Sequence, residues 1–234
     1  TKSLLYSPNT PPSMAHGVRA SAAVAITAGF KNIKFVLPEA DQELAVATYI
    51  NSLAADPYRL PGAEMSESAL RGAAVFEKAG CGQCHTGKYT NDLGMYDVGT
   101  RNSLDSSAEF DNTTLADLWR TAPYLHDGSA ATLRDVLVAK NASDLHGVTS
   151  TLTPQELDEL VAYMLELDVP SPDPVDLFPD AQPSAPAVPP QGAVPTPPAT
   201  TDPLDFSDPT LAALDKILFI ERDYLPTMDH PRGG

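Results

Sequence analysis

The feature that most constrains this chain is the segment CGQCH, which holds both of its cysteines. Cys81 and Cys84 lie three positions apart, and His85 follows the second cysteine directly. This spacing suits a redox-active dithiol, part of a tetrahedral zinc site, or the attachment of a c-type haem. Zinc would need a second pair of cysteine or histidine ligands at matching spacing, and the sequence has none.

The pattern favours covalent haem over a structural or redox dithiol. Two cysteines on one short turn bring both sulfurs to one haem edge for thioether bonds, and the next residue is placed to ligate the iron. Residues 66–80, which precede the turn, have the apolar spacing of a helix. We therefore predict haem c on Cys81 and Cys84, with His85 as an axial ligand.

Charge excludes some partners and favours others. The chain has 31 acidic and 15 basic side chains, a net charge of -16, so nucleic acid is disfavoured as a ligand and a redox partner protein with a basic docking patch is expected. No stretch has the apolar length of a membrane span, and no signal peptide is visible. Because covalent haem is normally attached outside the cytoplasm, we predict a trimmed periplasmic or extracellular protein.

Composition divides the chain into four regions. Residues 1–57 are expected to be helical, and 58–168 hold the haem turn and a final helix that begins at TPQE, where Thr153 and Glu156 form a capping box. Residues 169–205 form a proline-rich extended linker, with 12 prolines between 170 and 203. Residues 206–234 are interpreted as the start of a further module or a docking tail.

An internal repeat links the first two regions. TPPSMAHGVRASAAVAI (10–26) resembles TAPYLHDGSAATLRDVL (121–137), and VATYINSL (46–53) resembles LVAYMLEL (160–167). We predict that 1–57 are the C-terminal half of a first haem domain, completed by a precursor segment or another chain that supplies its haem turn. Such a half-domain would leave uncovered an apolar stripe that consists of Val46, Tyr49, Ile50 and Leu53. It would also place Met14 and His16 near a second haem c. The alternative is that these helices fold back onto 66–168.

Three segments carry a family resemblance: FEKAGCGQCHTG, LWRTAPYLHDGSAATLRDVL and LTPQELDELVAYMLEL. Together they resemble the di-haem cytochrome c peroxidase and MauG-like family, in particular the branch fused to modules such as β-propellers. The resemblance implies a mainly α fold in which two cytochrome c domains lie side by side and pass electrons. The family's distal methionine would fall on Lys140, so a different sixth iron ligand is expected.

Several residues are candidates for the haem environment. His146 is the preferred sixth ligand because it lies in the loop of the family's distal ligand, and Met95 is the alternative. Trp119, Tyr124 and His126 are expected to contact the porphyrin or orient a propionate, although core packing would equally explain the aromatic residues. Arg101 and Arg120 are interpreted as propionate partners or surface ion pairs, Met164 as core, and Asp92, Asp97 and Asn102 as a weak candidate for calcium.

The sequence therefore predicts a mainly α, extracytoplasmic c-type cytochrome that transfers electrons through a covalent haem. The alternative is a di-haem peroxidase or oxidase of the MauG-like kind, so enzyme status stays open. A haem-bearing docking module is a third possibility, since the long linker suits tethering.

Overall fold

The computed structural model describes residues 3–60 and 62–181. Most of the predicted linker (182–205) and the predicted module at 206–234 lie outside the described residues. The described chain is mainly α, as predicted, with one two-stranded antiparallel sheet. In chain order its elements are α1 (Ala22–Asn32), α2 (Ala40–Asn51), α3 (Glu67–Lys78), a 3-10 helix (Cys81–Gln83), β1 (Met95–Tyr96), β2 (Phe110–Asp111), a second 3-10 helix (Leu118–Arg120), α4 (Leu133–Leu137) and α5 (Pro154–Glu166).

The two helices that frame the haem turn begin at side-chain caps. The hydroxyl of Ser66 accepts the Ala69 N–H at the start of α3. At the start of α5, Thr153 accepts the Glu156 N–H and the Glu156 carboxylate accepts the Thr153 N–H. This is the capping box that the sequence predicts, and it satisfies amide groups that have no partner within the helix.

Helices α3 and α5 cross closely, and their contact forms the main core. At Gly72, an added Cβ would lie 1.9 Å from the Glu159 carbonyl oxygen, so only glycine permits this approach. Met164 is buried, as predicted, and Leu160 is fully buried. The buried residues of this core are Val75, Phe76, Ala79, Leu115, Leu118, Leu133, Leu137, Leu152, Leu157, Leu160 and Met164.

The predicted repeat is present in the backbone. A β-bridge joins Ser13 to Arg19 in the first copy, and an equivalent bridge joins Tyr124 to Ala130, 111 positions later. Positive φ angles recur at the same offset, as at Gly17 (60°) and Gly128 (72°). In each copy a hydroxyl side chain then caps the following helix: Ser21 for α1 and Thr132 for α4.

The predicted apolar stripe on α2 is covered only in part. Ile50 is buried, and Leu53 packs against a small cluster formed by Leu5, Tyr6, Ala116 and Val169. Tyr49 on the same helix is 61% exposed. The first copy therefore contacts the rest of the chain while keeping an uncovered surface.

The residues that follow α5 still contact the rest of the described chain. Val169 is buried, and the Tyr6 hydroxyl donates to the Pro170 carbonyl at 3.1 Å. Asn51 accepts the Val175 N–H at 3.0 Å and donates to its carbonyl at 2.8 Å. The first residues of the composition-defined linker are therefore fastened to the first copy. Within 3–60 and 62–181, no helix has the length and apolar character needed to cross a bilayer.

Candidate haem-binding site

The CGQCH segment forms a tight turn directly after α3. Gly80 ends the helix with φ = 78°, a left-handed conformation that glycine adopts without steric cost. Cys81 then begins the 3-10 helix, and its carbonyl accepts the His85 N–H at 3.0 Å. The thiols of Cys81 and Cys84 are free and half-buried. The turn thus presents both sulfurs and the imidazole on one short stretch of backbone.

The protonation of Cys81 distinguishes between the chemistries that the spacing allows. Burial raises the pKa of the Cys81 thiol to about 11, and nearby Glu77 contributes in the same direction. A redox dithiol usually needs a thiol pKa below its ordinary value, so that the thiolate can attack. The environment of Cys81 therefore disfavours the dithiol interpretation and is compatible with thioether attachment.

His85 is held in one orientation by the backbone. Its Nδ1 lies 3.3 Å from the Thr90 carbonyl oxygen, which accepts a hydrogen bond from the Nδ1–H tautomer. That tautomer leaves Nε2 unprotonated and available to a metal. Burial lowers the pKa of His85, so its neutral ligating form is favoured at physiological pH.

His146 lies opposite His85. Their ring centroids are 6.2 Å apart, with the ring planes inclined at 41°. Two imidazoles that bind one metal ion from opposite sides, each at about 2.0 Å, place their centroids about 6.3 Å apart. The His146 ring makes no hydrogen bond within the described chain, and burial together with the nearby His85 lowers its pKa to about 4. The separation of the two rings is compatible with both of them binding one metal ion.

The loop that carries His146 is joined to the haem turn by its backbone. The Val148 N–H donates to the Ala79 carbonyl at 2.9 Å. Gly147 has φ = 82°, and a Cβ at this position would lie 3.1 Å from the same carbonyl oxygen. A glycine directly after His146 therefore lets the two segments approach, which places the two histidines across from each other.

Asn141 fixes the backbone of His146 from both sides. Its side-chain oxygen accepts the His146 N–H at 2.8 Å, and its amide nitrogen lies 3.2 Å from the His146 carbonyl oxygen. The same amide donates to Gly147 and Thr149. Asn141 is buried. The sequence analysis missed this residue, because no local pattern distinguishes a loop-clamping asparagine from an exposed one.

The predicted haem-facing residues His126 and His16 form a different pair. Both point an Nε2 at Asp105, at 2.9 Å from His126 and 3.3 Å from His16. Phe110 stacks on His126 with a centroid separation of 4.0 Å. The ring centroids of His16 and His126 are 6.4 Å apart, but here the carboxylate of Asp105 bridges the two rings. His126 thus joins the signature loops of the two repeats and is separate from the His85–His146 pair.

The other predicted site residues each have partners in the described chain. The Met95 sulfur lies close to Gly17 in the first repeat. The Trp119 indole N–H donates to the Asp56 carbonyl at 3.1 Å, and its ring neighbours Tyr58. The Tyr124 hydroxyl donates to the Leu118 carbonyl at 2.7 Å, and the ring packs against the main core.

The three residues considered for calcium have separate partners. Asp92 accepts hydrogen bonds from Gly94 and Asn112, Asp97 accepts the Gly99 N–H, and Asn102 donates towards Asp127. Among residues 3–60 and 62–181, no cluster of three or more histidine, cysteine or acidic side chains is arranged to hold a metal ion. Calcium therefore remains only a sequence-based prediction.

Comparisons with known proteins find a family model, two curated relatives and a solved structure that are similar to this chain. The cytochrome c family model matches residues 69–168. The chain is 31% identical over 169 residues to hydrazine synthase subunit gamma of Kuenenia stuttgartiensis, covering 53% of this chain and 48% of that protein. It is 28% identical over 187 residues to cytochrome-c peroxidase IdrP1 of Denitromonas iodatirespirans, covering 55% and 50% respectively. The chain thus spans about half the length of these curated relatives.

A solved structure shares the fold. Hydrazine synthase of Kuenenia stuttgartiensis, determined under xenon pressure, aligns with a TM-score of 0.58 and 24% identity over 70% of each chain. At this identity the match supports the fold alone. The matches to a cytochrome c family model and to a cytochrome-c peroxidase agree with the predicted resemblance to cytochrome c peroxidases.

Proposed function

We propose that this chain transfers electrons through one covalently bound haem, because residues 69–168 match the cytochrome c family model. Cys81 and Cys84 would form the thioethers with a bound haem, and His85 and His146 would ligate its iron. The observation that carries the proposal is the 6.2 Å separation of the two imidazole centroids. It matches the span of two imidazoles on one metal ion.

The chain's own residues prepare the site for repeated electron transfer. When bound, the haem supplies a one-electron iron couple whose potential depends on its axial ligands and burial. Thr90 fixes the ring of His85, and Asn141 fixes the backbone of His146. Both ligands are therefore pre-positioned, and a site that moves little between oxidation states needs little reorganisation. Two imidazole ligands favour a low potential relative to histidine–methionine ligation.

The test replaces His146 and compares it with a matched histidine. We expect H146A to lose the six-coordinate low-spin spectrum while the thioether-bound haem stays attached. H16A is the control, because His16 is a histidine of the first repeat that bonds to Asp105, and its spectrum should be unchanged. A near-infrared band typical of thioether ligation in the oxidised wild type would contradict the proposal and would promote Met95.

A haem peroxidase is the second candidate, favoured by the similarity to cytochrome-c peroxidase IdrP1. Such an enzyme needs an iron position open to peroxide, whereas His146 faces His85 in this chain. We therefore expect the haem-loaded chain to be low-spin and inert to hydrogen peroxide. Turnover of peroxide at a rate typical of enzymes, above about 1 per second, would reverse the order of the two candidates.

The uncovered face of α2 supports a proposal for a second haem. In the second repeat, Tyr163 lies where α3 crosses α5, next to Gly72, and its ring packs edge-on to Phe76 at 5.3 Å. The residue 114 positions earlier is Tyr49, which is exposed. We propose that a helix equivalent to α3, followed by its own haem turn, covers this face, supplied by the same precursor or by another chain.

The stoichiometry of the native protein tests this second proposal. Two haems per copy of residues 3–181 are expected in the native assembly, against one in the isolated 234-residue chain. A cross-linker attached at Y49C should reach a second haem-bearing segment. A native assembly with one haem per copy, in which position 49 stays accessible, would contradict it.

The location and the redox partner follow from chemistry. Haem c attachment places the protein outside the cytoplasm in this proposal, and the net charge of -16 favours a partner with a basic surface. Electron transfer to such a partner should slow as ionic strength rises, because surface charges are screened beyond about 10 Å at 0.1 M salt. A rate independent of salt would contradict the proposed basic partner, but it would not bear on the proposed haem ligands.

A further inference from the structure

The cationic side chains of residues 62–181 divide into those that pair with a carboxylate and those that do not. Residues 62–181 contain seven lysines and arginines, and five of them pair with a carboxylate of the described chain. The two that have no such partner there are Arg101 and Lys140, although acidic residues outnumber basic ones about two to one in this chain. The five paired residues are Arg71, Lys78, Lys88, Arg120 and Arg134.

These two unpaired cations line the same cavity. Its volume is about 350 Å³, and it lies between the loop after β1 and the loop after α4. Leu145 and Ala142 contribute apolar wall. A cavity of this size accommodates a small ligand group, and an anion inside it would be attracted by both cations of the lining.

A buried hydroxyl beside the cavity also lacks a partner in the described chain. Thr100 lines the cavity, and its hydroxyl oxygen is buried with no hydrogen-bond partner in the part of the chain that the structure describes. Buried polar groups in proteins are nearly always hydrogen-bonded, so an unsatisfied one indicates a ligand or water at that point. A hydroxyl can donate to an anionic oxygen.

The one carboxylate in the lining does not neutralise the cations. Asp127 accepts the Ser129 N–H at 3.0 Å with one oxygen and the Asn102 amide at 3.3 Å with the other. Its charge is thus directed to neutral donors, and the charged side chains of the lining sum to one positive charge.

We propose that this cavity binds an anionic oxygen group, a carboxylate or a small oxyanion, through Arg101, Lys140 and the Thr100 hydroxyl. The guanidinium offers paired donors that match two oxygens of such a group, and the ammonium adds a point charge. The anion has two sources: a propionate of the bound haem, or a free ion from solution. The propionate source rests on the proposed function, whereas the free-ion source does not.

The experiment titrates the haem-loaded full chain separately with inorganic phosphate and with acetate, at constant ionic strength, by calorimetry. R101Q and K140Q are the test variants. R134Q is the matched control, because Arg134 is a partly exposed cation that pairs with Asp158. Saturable binding to wild type and R134Q, at least tenfold weaker in R101Q and K140Q, identifies a free anion.

The second arm examines the haem itself. No phosphate or acetate binding by wild type, with a shifted resonance Raman propionate band in R101Q and K140Q but not in R134Q, identifies the propionate. Equal binding in all four proteins, or no binding with unchanged bands, overturns the proposal. Haem content is measured on each protein beforehand, so a chain without covalent haem counts against the proposed function and leaves the titration valid.

Discussion

The two repeats of this chain share a backbone but differ in what covers them. Each has a bridged signature loop with a glycine at positive φ, followed by a helix capped by a hydroxyl residue. In the second repeat, α3 packs across α5 and buries Leu160 completely. In the first repeat, large apolar side chains of the corresponding region remain exposed: Val24, Ile33, Phe35, Val36, Leu37 and Tyr49.

This difference separates two kinds of information in the sequence. Caps, turns and helical periodicity act within a few residues, so both copies form their elements. A buried core also needs the facing helix, and the second copy has it as α3. The first copy forms its helices from local signals while Tyr49 on α2 stays exposed.

The largest effect is expected from a pair of glycine substitutions. G72A places a Cβ 1.9 Å from the Glu159 carbonyl oxygen, so α3 and α5 must separate at a cost of about 3 kcal/mol. G29A in α1 meets nothing within 4 Å and should stabilise its helix by up to about 1 kcal/mol. Urea unfolding of both variants checks this, and equal midpoints would contradict the asymmetry between the repeats.

A second pair of variants compares two asparagines whose side chains hydrogen-bond to the backbone of another residue. N141A leaves the His146 N–H and several buried acceptors unsatisfied, so we expect a loss of about 2 kcal/mol and a weaker low-spin spectrum. N51A removes two bonds to Val175 at a more accessible position and should cost about 1 kcal/mol, with no spectral change. A spectral change in N51A, or none in N141A, would show that Asn141 does not position His146.

The equivalent tyrosines of the two closing helices should respond differently. Y163S removes a ring that packs on Phe76 at the helix crossing and should cost about 1.5 kcal/mol. Y49S changes a side chain that is 61% exposed, and should alter stability by less than about 0.5 kcal/mol. Thermal unfolding of the isolated chain is the measurement, and a large loss in Y49S would mean that this face is already covered.

The smallest expected effect concerns acid and the capping box at the start of α5. The hydrogen bond from Lys78, then those from Thr153, lowers the pKa of Glu156 from its ordinary 4.5 to about 2. Its contribution is therefore present above pH 4.5 and is lost as the pH falls towards 2. Gln42 occupies the same box position in α2 and does not ionise. In E156Q the thermal unfolding midpoint should depend less on pH between 4.5 and 2 than in wild type. The same pH dependence in both proteins would contradict the role of the Glu156 carboxylate.

Much of the haem turn was predictable because its determinants are contiguous. The spacing of Cys81, Cys84 and His85 favours covalent haem chemistry, and the boxed start of α5 can be identified from Thr153 and Glu156. The repeat was also visible, since its turn residues recur at a constant offset. These features depend on side chains acting on backbone a few residues away, and one sequence contains all of that information.

The tertiary structure alone decided which distant residues meet. The proximity of His85 to His146, Asp105 as the bridge between His16 and His126, and the fastening of Val175 to Asn51 all join segments that no local pattern connects. The shared cavity of Arg101 and Lys140 is of the same kind. Such contacts depend on how α3 and α5 cross and where each loop is anchored, and that geometry results from packing the whole core at once.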